Sequence, residues 1–241
     1  MIRTHRAFDP HLIKLVIFDL DGTLIDSRLD LVHSVNAALR HIGRAELPDD
    51  VIASYVGDGA PVLIQRALGV EAARGEVVDE ALVRKGLEFF LKYYREHKLD
   101  HTTVYPGVAE ALAAIQNSAG HSQNGGPRKL AVLSNKPVGP SKAIVDALGL
   151  GQFFSQVYGG NSFPTKKPDP EGARRLLEEH GVPPQHAAII GDSHVDVNTG
   201  RNAGMVTVGV TYGFAPHTLQ DEPPDVLVDH PSELSTLFAA P

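Results

Sequence analysis

The sequence predicts an α/β protein whose core is a doubly wound parallel sheet, with an α-helical domain inserted after the first strand. Short apolar runs recur along the chain, and segments with the helical spacing of apolar residues lie between them. The first two runs are separated by more than a hundred residues, where one crossover helix would suffice. The excess chain indicates the inserted domain.

Each apolar run is continuous rather than alternating, which is typical of strands covered on both faces of a parallel sheet. The five predicted strands are Leu15–Phe18, Leu130–Leu133, Ala187–Ile190, Val206–Val210 and Val226–Val228. Helical spacing predicts helices over Val108–Asn117, Ser141–Leu148 and Glu171–His180, and the last of these runs into a glycine and then prolines.

The long interval after the first strand has helical spacing over residues 29–41, 49–56, 61–68 and 79–97. We therefore expect a Rossmann-like core over residues 12–26 and 103–241, a helical cap domain over 27–102, and an N-terminal tail over 1–11. The polar, glycine-rich segment 118–127 predicts a surface loop.

The composition excludes several classes of protein. The chain has 241 residues, a formal charge of −7 and no concentration of Lys and Arg that would bind nucleic acid. It contains no Cys, which excludes disulfides, thiolate nucleophiles and Cys-ligated metals. Neither a signal sequence nor an apolar stretch of about 20 residues is present, so we expect a cytoplasmic protein without membrane contact.

Polar side chains follow several of the predicted strands. In open α/β sheets, ligands bind beyond the carboxyl ends of the strands, so these side chains are expected to lie close together. They are Asp19 and Asp21 after the first strand, Ser134 and Asn135 after the second, and Asp192 and Asp196 after Ala187–Ile190, with Lys166 and Lys167 from a loop. Crowded carboxylates without His or Cys favour a hard cation such as Mg²⁺. A lysine beside them adds a site for phosphate.

The segments Asp19-Leu20-Asp21-Gly22-Thr23, Ser134-Asn135-Lys136, Lys167-Pro168 and Gly191-Asp192-Ser193 with Asp196 resemble the four motifs of the haloacid dehalogenase-like phosphatases, in the same order. Within that family the chain is most similar to the phosphoglycolate phosphatases. This closer resemblance depends on residues 56–60, 66–68, 135–137, 166–168 and 211–213.

The resemblance implies a mechanism. Asp19 would be the nucleophile that forms an aspartyl-phosphate. Asp21 would be the general acid and base, with its backbone carbonyl on Mg²⁺. Lys167, in preference to Lys166, would screen the charge between phosphate and Asp19. Asp19, Asp21 and Asp192 would hold the metal, with Asp196 supporting them.

The remaining predicted site residues bind substrate. Ser134, assigned to the catalytic set, and Asn135 would hold the phosphoryl oxygens. Gly22 permits the turn after the first strand, and Thr23 orders that turn. In the cap, Asp58 and Gly59 belong to a loop that faces the active site in the family, and Arg66 is the candidate partner for a substrate carboxylate.

Several functions remain open. The leading one is hydrolysis of 2-phosphoglycolate. Another small sugar-phosphate or nucleotide monoester is an alternative, as is a phosphomutase, although Asp58 would repel a second phosphate in the cap loop. A dehalogenase and a non-catalytic binding protein are weaker alternatives. The expected partner is a small phosphorylated metabolite, and the expected state is a monomer or a homodimer.

Overall fold

The computed structural model describes residues 1–72, 79–118 and 127–238. The chain divides into two compact units. The core unit comprises Met1–Ile25 and Val104–Pro241, and the helical unit comprises Asp26–Thr103. Most of the predicted surface loop over 118–127 lies outside the described residues.

The core unit is built on a seven-stranded sheet with the strand order β1-β9-β8-β7-β2-β5-β6. Its strands are β1 (Arg3–Thr4), β2 (Leu15–Phe18), β5 (Lys129–Leu133), β6 (Gln156–Tyr158), β7 (Ala187–Gly191), β8 (Val206–Val210) and β9 (Val226–Val228), while β3 (Ile25–Asp26) and β4 (Thr103–Val104) form a separate pair. All neighbours in the large sheet are parallel except β1 and β9. The predicted doubly wound parallel sheet is confirmed.

Burial on both faces explains why the strand sequences are continuously apolar. In β2, Val16 and Phe18 join one hydrophobic cluster, whereas Leu15 and Ile17 join the cluster on the opposite face. Alternate side chains of a strand point to opposite faces, so a sheet with two covered faces needs an apolar residue at every position.

Helices cover both faces of this sheet. They are α5 (Val108–Asn117), α6 (Val138–Ala147), α7 (Glu171–His180), α8 (His194–Ala203) and α9 (Pro231–Phe238). Helix α6 begins three residues before the predicted Ser141, with Pro140 inside its first turn. Proline is tolerated there because the first N–H groups of a helix have no intrahelical partner.

The helical unit contains α1 (Arg28–His41), α2 (Asp49–Ala53), α3 (Ala60–Ala72) and α4 (Glu80–His97). Its buried Asp30 carboxylate accepts hydrogen bonds from the N–H groups of His101 (2.9 Å) and Thr102 (2.8 Å) and from the Thr102 hydroxyl (2.6 Å). These bonds fix the segment after α4 against the start of α1. No helix in the described residues combines the length and apolar character needed to cross a membrane.

Arg128, just before β5, is almost completely buried in the core unit. Its guanidinium donates to the carbonyl oxygens of Ile13 (3.0 Å), Phe238 (2.6 Å) and Pro10 (2.9 Å), and to the Ser118 hydroxyl. It also lies 5.6 Å from the centre of the Phe238 ring. Burial lowers the pKa of Arg128, yet a guanidinium stays charged near neutral pH. One side chain thus joins the N-terminal segment to the ends of α5 and α9.

Replacing Arg128 by methionine is expected to lower the free energy of unfolding by about 2–4 kcal/mol, because two buried carbonyl groups and the partly buried carbonyl of Pro10 lose their donor. Urea denaturation measures this as a lower midpoint at an unchanged slope. The control is Arg175→Met, which removes an exposed ion pair with Glu179 and is expected to cost below about 1 kcal/mol. Equal losses in the two variants would contradict the role assigned to Arg128.

Candidate active site

The sheet brings three strand ends to one edge. Phe18 is in register with Val132 of β5 on one side and with Ile190 of β7 on the other. Asp19 follows Phe18 directly, and its N–H donates to the Ile190 carbonyl at 2.9 Å. Ser134 and Asp192 each lie two residues beyond the partner of Phe18, so the strand register by itself places the three side chains at this edge.

Lys167 lies between two of the predicted site carboxylates. Its Nζ is 2.9 Å from Asp19 Oδ1 and 2.6 Å from Asp196 Oδ1, and its side chain is only 2% exposed. Burial alone lowers the pKa of Lys167, but Asp19 and Asp196 raise it, and the net direction is upward. Lys167 therefore remains an ammonium ion. Lys166 is exposed, whereas Lys167 contacts Asp19. The structure therefore favours Lys167 over Lys166 as the lysine that screens charge beside Asp19.

Asp19, Asp192 and Asp196 form a buried carboxylate cluster, with one oxygen of each lying within 4.8 Å of the others. Burial raises the pKa of Asp192 to about 8, and the charges of Asp196 and Asp19 add to the effect. Burial also raises the pKa of Asp19 to about 6, against the opposing influence of Lys167. Lys167 contacts two of these groups, Asp19 and Asp196, so one ammonium faces more acidic groups than it can neutralise.

This donor set fits a hard divalent cation. Its ligand atoms are all carboxylate oxygens, the kind that Mg²⁺ prefers. Asp192 Oδ2 accepts from the N–H groups of Phe214 (2.6 Å) and Ala215 (3.1 Å), which fixes that carboxylate. The sequence analysis names Asp19, Asp21 and Asp192 as ligands, whereas the carboxylate of Asp196 takes the third place in this cluster.

Asp196 also begins α8. Its Oδ2 accepts from the Ser193 hydroxyl (2.9 Å) and from the Ser193 N–H (3.3 Å), completing a capping box. Its other oxygen, Oδ1, accepts a hydrogen bond from Lys167 Nζ at 2.6 Å. Gly191 is required beside it, because a Cβ at that position would come within 2.0 Å of the Asp196 carboxyl carbon. The supporting role of Asp196 at a metal site remains a prediction.

The turn after β2 fits closely against the segment after β8. Gly22 has φ +81°, and a Cβ there would lie 2.3 Å from Asp192 Oδ2. There is equally little room for a side chain at Gly213, since a Cβ added there would lie 2.4 Å from the Gly22 carbonyl oxygen. The Tyr212 hydroxyl donates to the Thr23 carbonyl at 3.0 Å. Thr23 itself is buried, and its hydroxyl has no hydrogen-bond partner among the described residues.

Ser134 and Asn135 directly follow β5, and both are buried. The Asn135 side-chain nitrogen donates to the Lys167 carbonyl at 3.0 Å, which ties the lysine loop to β5. The Ser134 Oγ accepts from the Lys136 N–H at 3.3 Å. Their binding of phosphoryl oxygens remains a prediction.

Asp21 has a partner that the sequence analysis does not assign. Lys136 Nζ donates to Asp21 Oδ1 at 2.5 Å, with the two side chains only 6% and 13% exposed. The only sequence signal for this lysine is its position directly after Ser134 and Asn135. Tyr212 and Gly213 carry an equally weak signal, since they enter the sequence analysis only through the resemblance.

The predicted cap residues form a second group, within the helical unit. Arg66 Nη2 lies 2.6 Å from Asp58 Oδ2, and its Nη1 donates to the Tyr55 carbonyl at 3.2 Å. Gly59 has φ +88° and precedes α3 directly. The structure thus brings Asp58 and Arg66 together as an ion pair. Their contact with substrate remains a prediction.

Two aspartates follow β2, Lys167 lies between Asp19 and Asp196, and an acidic cluster lies at one edge of a parallel sheet. This combination defines a hydrolase of the haloacid dehalogenase type. The family model for haloacid dehalogenase-like hydrolases matches residues 16–210, and the chain belongs to that family.

Comparison with known proteins indicates which hydrolases of this family the chain is similar to. A phosphoglycolate phosphatase of Pseudomonas syringae pv. tomato is 37% identical over 225 residues, which cover 93% of this chain and 79% of the relative. One from Haemophilus influenzae is 34% identical over 93% of this chain and 98% of its own length. A crystal structure from Haemophilus somnus, described as a predicted phosphoglycolate phosphatase, has a TM-score of 0.84 at 31% identity and covers 94% and 98% of the two chains. The chain is therefore a hydrolase similar to these phosphatases.

Proposed function

We propose that this chain is a Mg²⁺-dependent phosphatase that hydrolyses a small phosphate monoester, with 2-phosphoglycolate as its main substrate, through an aspartyl-phosphate at Asp19. The observation that carries the proposal is the position of Asp19 at the end of β2, between β5 and β7, with Lys167 Nζ 2.9 Å from its carboxylate and Asp192 beside it. The relatives that support the substrate are the phosphoglycolate phosphatases of the comparison.

In the first step an oxygen of Asp19 attacks phosphorus. A bond forms between that oxygen and phosphorus, and the bond from phosphorus to the ester oxygen breaks. Lys167 keeps its positive charge beside the attacking carboxylate and lowers the repulsion between Asp19 and the phosphoryl oxygens. The leaving oxygen takes a proton from Asp21, which supplies the acid that an alkoxide requires.

In the second step a water molecule attacks the phosphorus of the aspartyl-phosphate and gives its proton to Asp21. The bond between phosphorus and Asp19 breaks, inorganic phosphate leaves, and the Asp19 carboxylate is restored. Asp21 has then returned to its protonated form. The same carboxyl group serves as general acid in the first step and as general base in the second.

Asp19, Asp192 and the backbone carbonyl of Asp21 are the proposed metal ligands, with Asp196 supporting them through Lys167 and the α8 cap. When bound, Mg²⁺ supplies positive charge that offsets the carboxylates and the phosphoryl oxygens. Ser134 and Asn135, buried at the end of β5, are the proposed donors to the remaining phosphoryl oxygens.

The test is the release of inorganic phosphate from a panel of small phosphate monoesters, with Mg²⁺ and with EDTA. We expect the highest kcat/KM for 2-phosphoglycolate and a loss of at least about 100-fold in EDTA. A different preferred ester would contradict the substrate while leaving the chemistry intact. If no ester releases phosphate, the proposed activity is wrong, and a phosphomutase becomes the better hypothesis.

A further inference from the structure

The core unit contains a second buried lysine beside an aspartate. Lys167 lies against Asp19, and Lys136 lies against Asp21, with Nζ 2.5 Å from Asp21 Oδ1. Both ammonium groups are nearly excluded from solvent, at 2% and 6% side-chain exposure. Each of the two aspartates assigned to the chemistry therefore has its own cation. The proposed mechanism uses only the first.

Burying an ammonium ion is costly, so a buried lysine needs a compensating charge. Asp21 supplies this charge. An ammonium nevertheless has three N–H donors and can hold two carboxylates at once. Lys136 can therefore keep Asp21 and still donate to an anion that arrives beside it.

Lys136 contacts the residue that is proposed to protonate the ester oxygen. This position indicates which anion Lys136 would bind. Asp21 protonates the ester oxygen, so that oxygen lies within hydrogen-bond distance of the Asp21 carboxyl group. In a phosphate ester of a 2-hydroxy acid, the carboxylate is joined to the carbon that bears this oxygen. Its own oxygens then lie about 2.6–3.6 Å from the ester oxygen. A cation in contact with Asp21 is within reach of such a carboxylate.

We infer that Lys136 recognises the carboxylate of the leaving group, and that it restricts the substrate class to phosphate monoesters of 2-hydroxy carboxylates. The inference rests on the proposed function. The two lysines then have different roles at one site. Lys167 interacts with the phosphoryl group and Asp19, whereas Lys136 interacts with the substrate carboxylate and Asp21.

Arg66 is the other cation considered for this task. Its guanidinium is 2.6 Å from Asp58 Oδ2, and its side chain is 43% exposed, so solvent and salt screen its charge. A charge held in a buried site interacts more strongly with an anion than one in solvent does. This difference favours Lys136.

The experiment compares two esters of the same chain length that differ in one group. 2-Phosphoglycolate has a carboxylate where ethyl phosphate has a methyl group. The measured quantity is the ratio of kcat/KM for the two esters in the wild type, Lys136→Met, Lys136→Arg and Arg66→Met. Within one preparation the ratio is independent of the fraction of protein that is folded, and damage to Asp21 affects both esters alike. The matched control is Lys142→Met, an exposed lysine on α6.

We expect Lys136→Met to lower the ratio by roughly 10- to 100-fold, the loss of one hydrogen bond between charged groups. Lys136→Arg should restore part of it, and Lys142→Met should leave it unchanged. An unchanged ratio in Lys136→Met, with the wild type still preferring 2-phosphoglycolate, overturns the inference alone. A ratio that collapses only in Arg66→Met moves the carboxylate site to the cap residue. A wild type that hydrolyses ethyl phosphate equally well contradicts both this inference and the proposed substrate.

Discussion

Asp19→Asn is expected to reduce phosphate release by at least about 1000-fold, because an amide cannot attack phosphorus and form the aspartyl-phosphate. The free energy of unfolding without metal should not fall. Lys167 keeps its 2.6 Å contact with Asp196, and the buried cluster loses one of the two carboxylates that contact this ammonium. The measurements are steady-state phosphate release with Mg²⁺ and urea denaturation in EDTA.

The matched control is Asp221→Asn, which changes an exposed aspartate in the same chemical way. It should preserve both the activity and the stability of the wild type. Retention of more than about a tenth of wild-type kcat in Asp19→Asn would remove Asp19 from the role of nucleophile. A loss of both activity and stability would instead indicate a structural role.

The second large effect is expected for Lys167→Met. This change removes the ammonium between Asp19 and Asp196 and leaves buried carboxylates without their partner. We expect the free energy of unfolding to fall by about 3 kcal/mol and kcat/KM to fall by at least about 100-fold. Urea denaturation and phosphate release measure the two effects separately.

Two further variants distinguish the effect of the Lys167 charge on stability from its effect on catalysis. Adding Asp196→Asn to Lys167→Met removes one unpaired carboxylate, so part of the lost stability should return while the activity does not. Lys166→Met changes the exposed neighbour and should cost below about 0.5 kcal/mol with activity retained. If Lys166→Met is the inactive variant and Lys167→Met is active, the assignment of the two lysines is reversed.

The strands that position the site could be predicted because their sequence signal is local. A buried strand of a parallel sheet favours an apolar residue at every position. Strand β2 is apolar throughout, β7 is apolar as far as Gly191, and β8 departs from the pattern only at Thr207 and Gly209. Strand β6 contains a single buried residue, Val157, and β1 has two exposed residues, Arg3 and Thr4. Neither strand is predicted from the sequence. Such edge strands form through their neighbours rather than through a pattern of their own.

The residues of the active site divide in the same way. Asp19, Ser134 and Asp192 could be placed because each follows a recognisable strand, and the register of a parallel sheet aligns strand ends. The contact between Lys136 and Asp21 could not be predicted, because it depends on how two loops fold in space.

The buried contacts of Arg128 are also invisible to the sequence analysis. An arginine before a strand is indistinguishable in sequence from a solvated one. Its carbonyl partners lie more than a hundred residues away along the chain, at Ile13, Pro10 and Phe238.

The central claim is that phosphate is transferred to the carboxylate of Asp19. Borohydride reduces an aspartyl-phosphate to homoserine, so the enzyme is quenched with borohydride during turnover of 2-phosphoglycolate with Mg²⁺, and the digested protein is mapped by mass spectrometry. We predict homoserine at position 19, present only when substrate and Mg²⁺ are both supplied and absent from Asp19→Asn. Homoserine at another aspartate, or intact Asp19 in enzyme quenched during turnover under conditions that trap aspartyl-phosphate in a control phosphatase, would contradict the account.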